Sequence, residues 1–286
     1  MRSMIKFALF CLSVLRDAAL KFNRDDGWAI ASHVALSGLF ALFPFLIFAT
    51  SIAGFFELGD FTENVVHLVF DYWPSEAGNQ IANEVRSVLT NQRGDVLTFG
   101  GILTLYFASN GVEALRVALN RSYRQQDTRP FWFLRLQSVL FVFVAIIILI
   151  IITFLLVLLP LGWQIAQKYL AWIIPWGETI WFWRLIIAFT VLFVSLIAVH
   201  KFLPAGNRTM ISVLPGVLFT LLCWILGSLA YGLYLEQFAN YVTMYAGLAG
   251  AMTGLIFLYM TGVIFILGGE INAAANQIEN SQNTIL

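Results

Sequence analysis

Six stretches of this chain are each long and apolar enough to cross a lipid bilayer, and no other feature restricts its fold so strongly. The hydrocarbon layer is about 30 Å thick, so a helical crossing needs about 20 apolar residues. The runs lie near Ile30–Phe55, Val96–Leu115, Leu136–Leu161, Trp181–Phe202, Met210–Leu233 and Leu248–Gly268. With no water to solvate them, backbone amides in these runs must pair within their own segment, which means helix. Only 11% of the 286 residues are charged, against about 25% in an ordinary soluble domain. The expected fold is all-α: one polytopic membrane domain, residues 1–286, with about six transmembrane helices.

Charge placement gives the orientation. If the spans alternate, Arg2, Lys6, Arg16, Lys21, Arg24, Arg116, Arg121, Arg124, Arg129, Arg135, Lys201 and Arg208 share one side. Only Arg86, Arg93, Lys168 and Arg184 lie on the other. Basic loops stay on the cytoplasmic side, so both termini are expected there, in a bacterial inner (plasma) membrane. The anionic headgroups of that leaflet are the expected partners of the inner arginines. Trp163, Trp172, Trp176, Trp181 and Trp183 cluster in the opposite connection, as an interfacial aromatic belt would.

Two segments outside the spans carry helical periodicity. In residues 1–27, Arg2, Lys6, Ser13, Arg16, Asp17, Lys21 and Arg24 share one face at about 100° per residue. Ile5, Leu9, Leu12, Leu15, Ala19 and Phe22 share the other, which predicts an amphipathic helix lying in the cytoplasmic interface. In residues 57–95, Ser75 is placed to cap a helix, and Ile81, Val85, Val88 and Leu89 follow at helical spacing. That predicts a short periplasmic helix over the bundle.

Enzymatic motifs are sparse. His33, His67 and His200 make no His-x-His or His-Glu-x-x-His spacing, and Cys11 and Cys223 are isolated, so no metal site is expected. No phosphate-cradling glycine loop and no Gly-x-Ser-x-Gly elbow occur, and no cofactor is expected. Zero net charge, from 16 basic and 16 acidic residues, gives no argument for nucleic acid as a partner. A second copy of the chain or another envelope protein remain open as protein partners.

The polar residues in and beside the spans are the functional lead, because an ionisable group near hydrocarbon costs a few kcal/mol unless it is paired or hydrated. His33, Asn110, Glu113, Arg116, His200, Glu270 and Asn272 all fall in the cytoplasmic half. They are expected to form a polar girdle that gates a vestibule; the alternative is a set of structural caps and ion pairs. Pro44 should kink the first span, whereas Pro160, Pro204 and Pro215 read as span boundaries. Ala246, Gly250 and Gly254 form a small-residue stripe for close helix packing, with Ser228 and Gly232 as a similar pair.

Several segments together resemble the YihY/BrkB family of bacterial inner-membrane proteins, some of which carry the older label ribonuclease BN. They are Ala35–Pro44, the run Glu113-Ala-Leu-Arg116 through Leu119-Asn120-Arg121, Arg129-Pro130, Phe202-Leu-Pro204, and Val213-Leu-Pro215-Gly216. Phe238–Tyr241, Tyr245–Ala251 and Gly268-Gly-Glu270-Ile-Asn272-Ala273 complete the set. Ser32-His33 departs from the aromatic residues common in that family. The resemblance implies a six-span protein linked to envelope integrity, with a suggested role in moving or accommodating lipids. The expected function is therefore transporter or flippase-like movement of a lipid-related or small amphipathic solute. A non-transporting envelope scaffold is the alternative, and a ribonuclease the weakest reading.

Overall fold

Residues 2–55, 94–170, 176–242 and 246–285 are described by a computed structural model, and among them there are helices and no strand. The order is α1 (Arg2–Arg24), α2 (Gly27–Phe55), α3 (Gly94–Ser122), α4 (Phe131–Thr153), a π-turn (Phe154–Leu158), α5 (Leu159–Tyr169), α6 (Gly177–Phe202), α7 (Met210–Val242) and α8 (Ala246–Ile285). Six segments are long and apolar enough to cross a membrane: Gly27–Phe45, Thr98–Ser122, Phe131–Gln167, Gly177–Phe202, Met210–Glu236 and Gly250–Ile278. The chain is an all-α polytopic membrane protein. The helix expected around Ile81–Leu89 lies outside the described residues.

Two boundaries differ from the sequence expectation for one reason. The apolar runs stop near Leu115 and Gly268, but α3 continues to Ser122 and α8 to Ile285. Arg116, Asn120, Ser122, Glu270 and Asn272 are buried in these extensions. Helix ends follow hydrogen bonding and packing rather than hydropathy alone. Three of the prolines lie within helices. Pro215 lies inside α7, and Pro160 stands in the first turn of α5, where its missing N–H costs little. Just before it, Leu159 N–H donates to Phe154 C=O, closing the wide turn that carries the chain from α4 into α5. Pro44 also lies within a continuous α2.

The chain forms two compact units, the first of residues 1–21, 119–221 and 267–286, the second of residues 22–118 and 222–266. In the first, Val14 and Ala18 of α1 pack on Ile271, Ala274 and Ala275 of α8, with Phe10 and Phe219 alongside. Lys21 Nζ ties the two helices further by donating to Gln277 Oε1 at 2.6 Å. Leu9, Leu12 and Leu15, on the apolar face read from the sequence, are exposed. An interfacial helix needs both surfaces: one to dock on the protein, one to enter lipid.

The second unit is held by small and aromatic side chains. Ala31 and Ala35 of α2 are fully buried, and Gly262 of α8 passes close to the Ala31 backbone. Trp28 stacks on Tyr259, Phe40 meets Phe107, and Tyr231 lies against Phe257. Trp224 Nε1–H donates to Thr261 C=O at 3.1 Å, and Tyr231 O–H to Thr253 C=O at 2.7 Å. The polar tips of Trp224 and Tyr231 thus both meet a backbone acceptor.

Candidate functional site

In the first unit, α7 and α8 approach until their backbones touch. A Cβ on Gly216 would collide with the carbonyl oxygen of Gly268, and a Cβ on Gly268 with Thr220 Oγ1. Gly269, one residue on, is denied a side chain by Leu119 Cδ2 at 2.7 Å. Only glycine lets two backbones come this close. The expected stripe is not where this happens. A Cβ on Gly254 or on Gly232 would meet nothing within 4 Å among the described residues, and the side chain of Ala246 lies outside them.

This crossing brings polar groups of three segments together. Asn272, fully buried on α8, accepts the Gly216 N–H on Oδ1 at 2.6 Å and donates from Nδ2 to Tyr123 Oη at 3.1 Å. One turn later Asn276 Nδ2 donates to Ser212 C=O at 3.0 Å. Gly216 and Ser212 are four apart in α7, beside Pro215. The two asparagines, also four apart, therefore serve both ends of that turn. Glu270 is 1% exposed and accepts the Ser122 Oγ–H bond at 2.7 Å. It thereby fastens α8 to the last residue of α3.

A second network fixes the loop after α3. Arg129 grips Asp127 with two nitrogens, at 2.6 and 2.7 Å, and donates to Leu203 C=O at 3.2 Å. Asn120 donates to Asp127 Oδ2 at 3.0 Å and accepts the Ala205 N–H at 2.7 Å. The Arg129 hydrogen bonds hold the Asp127 carboxyl down at about 2. Burial, partly offset by the Asn272 bond, pushes the Tyr123 phenol up to about 12. Tyr123 is therefore neutral near pH 7, and the Arg208 guanidinium stands over its ring at 3.9 Å.

The polar residues expected to form one girdle divide between the two units. In the second, Arg116 Nη2 donates to Glu113 Oε1 at 3.1 Å, the i, i+3 pair foreseen, with the Arg116 side chain 4% exposed. Asn110 is half-buried one turn earlier, and His33 is exposed on α2. Glu270, Asn272 and the fully buried His200 belong to the first. Sequence reading missed Ser122, Tyr123, Asn276, Asp127 and Arg208. The four-residue spacing of Asn272 and Asn276 on a helix was the one usable signal.

Residues 18–285 match the family described as "Virulence factor BrkB". The chain is 29% identical over 268 residues to "Putative ribonuclease-like protein YfkH" of Bacillus subtilis (strain 168), covering 92% of this chain and 94% of that protein. It is 25% identical over 275 residues to "UPF0761 membrane protein RC1_0578" of Rhodospirillum centenum (strain ATCC 51521 / SW), covering 92% of this chain. The chain spans 57% of that second relative's length. No solved structure matches.

Proposed function

The chain belongs to the BrkB family of membrane proteins, and from that membership we propose that it moves a lipid-related or small amphipathic solute across a bacterial inner membrane, with both termini in the cytoplasm. The observation that carries the reading is Glu270, an ionisable side chain 1% exposed on a helix long and apolar enough to span the bilayer. A carboxylate there is costly and persists where partners or function require it. A hydrogen bond from Ser122 links it to the end of α3. Breaking one such bond costs about 1–3 kcal/mol, a barrier compatible with a gate that opens in each cycle.

The test is the lipid composition of a deletion strain, complemented by wild type, Glu270→Ala and Glu270→Gln. The reading expects altered envelope lipids in the deletion strain. Wild type restores them, Glu270→Ala does not despite equal membrane abundance, and Glu270→Gln, which can still accept from Ser122, gives an intermediate result. Unchanged lipids in the deletion strain would favour a non-transporting scaffold. RNA cleavage by the purified protein, lost on changing one of its own residues, would favour the nuclease implied by the Bacillus relative's name.

A further inference from the structure

In the first unit, a cavity of about 520 Å³ opens between the loop after α3 and the α6–α7 turn. Three cations line it, Arg129, Lys201 and Arg208, with Gln125, Gln126 and Asn207 as neutral donors and no carboxylate. Arg129 is already neutralised by Asp127. The other two are not. Among the described residues Lys201 makes no ion pair, its ammonium standing 5.2 Å from the Phe202 ring centroid. Arg208 donates from Nη2 to Ala205 C=O at 2.7 Å, and its Nη1 has no hydrogen-bond partner among the described residues. Burial pushes the Arg208 guanidinium below its usual range, opposed by Tyr123 and reinforced by the Arg129 charge.

Two uncompensated cations beside amide donors form a receptor for a compact polyoxygen anion, since phosphate offers several acceptors to such a set. A second cavity indicates what such an anion is attached to. It holds about 620 Å³ and is lined largely by apolar groups, among them Phe10, Val14, Pro215, Phe219 and Ile271. Thr209 lines it as well, directly after Arg208 of the basic cavity. Consecutive residues of one turn thus border a cationic and an apolar recess.

We propose that the Lys201–Arg208 cavity binds the phosphate headgroup of a membrane lipid, with the neighbouring apolar groove taking an acyl chain. The assignment rests on the lipid-handling reading above and names its ligand class. The Gly206 turn shapes the cavity wall. With φ at +87° and Gln125 Oε1 3.0 Å from where a Cβ would stand, this position is restricted to glycine.

The test is native mass spectrometry of the full-length protein in non-ionic detergent. The probes are phosphatidic acid, diacylglycerol with the same chains, and inorganic phosphate. Phosphatidic acid is expected to bind best. Affinity falls about fivefold on Lys201→Gln, about fivefold on Arg208→Gln and roughly thirtyfold on both. Lys201→Arg retains binding. Arg208 also packs on Tyr123, so Lys201→Glu, at a side chain without a hydrogen-bonding role, serves as the second charge variant; it abolishes binding. Wild-type affinity in the Gln and Glu variants, or diacylglycerol binding as tightly as phosphatidic acid, would overturn the site. Inorganic phosphate binding as tightly as the lipid would overturn the lipid source. Binding requires no turnover. Intact binding with unchanged lipids in the deletion strain would therefore remove the transport reading alone. Unaffected binding in Lys201→Glu, with a lipid defect in Glu270→Ala, would remove this site alone.

Discussion

Helices α7 and α8 meet in both compact units, and they meet differently. In the first unit the contact is polar and backbone-close. Gly216 abuts Gly268, and Asn272 and Asn276 reach across to α7. In the second unit the same helices are spaced by large side chains. Trp224 and Tyr231 bridge to backbone carbonyls of α8, a Cβ on Gly227 would stand 3.3 Å from Met260 Sδ, and one on Gly232 or Gly254 would meet nothing within 4 Å among the described residues. Where backbones touch, no side chain can be added. Where aromatics act as spacers, the packing is compliant and small residues are dispensable. One pair of helices thus carries a rigid crossing and an adaptable one.

The sharpest way to break this contrast is Gly216→Val. Its Cβ has no space beside the Gly268 carbonyl, so overpacking should cost about 3 kcal/mol or more. The expected outcome is loss of monodisperse protein on size exclusion in detergent; a wild-type profile would show that the crossing can relax. Next is Asn272→Ala, which strips partners from the Gly216 N–H and Tyr123 Oη. It should cost about 2 kcal/mol, read as a lowered thermal midpoint, and Asn272→Asp should not restore it fully.

The Asp127 clasp predicts a smaller, pH-dependent effect. Its folded-state value of about 2 lies below the ordinary 3.8. The clasp therefore contributes fully above about pH 4, and the contribution is lost as pH falls through about 2. Asp127→Asn should lower stability by about 1–2 kcal/mol at pH 7 and flatten the acid limb of a stability profile over that window. A steep limb in the variant would assign acid sensitivity to other carboxylates. The smallest effect belongs to Gly254→Val. With nothing within 4 Å of its Cβ position among the described residues, stability should stay within about 0.5 kcal/mol. A large loss there would erase the distinction between the two ends of the helix pair.

Much of the candidate site was legible only in part. Glu270 and Asn272 stood out because polar residues following an apolar run and a Gly-Gly pair are conspicuous. Their partners Ser122, Tyr123 and Gly216 did not, because an ordinary serine, tyrosine or glycine gives no sign of a contact more than 50 positions away. The small-residue spacing did not point to the close crossing, for a related reason. Four-residue spacing marks a face on which helices can approach; Ala246-Gly250-Gly254 satisfies it, whereas Gly268 has Ile264 and Asn272 four positions away. Only the neighbour decides which face is used, and here Gly216 and Thr220 stand opposite Gly268. On α1 the leucine face was read correctly as apolar, but the docking surface is the adjacent Phe10-Val14-Ala18 stripe.

By itself the sequence determined the membrane, the helices, their number and the existence of an amphipathic first helix. Those properties depend on local hydrophobicity summed over about 20 residues, and one chain segment contains all the information. The tertiary structure decided which polar residues meet, where two backbones touch and which cations remain uncompensated beside a cavity. Those depend on the identity of atoms brought within a few ångströms from distant parts of the chain. No local pattern encodes that distance.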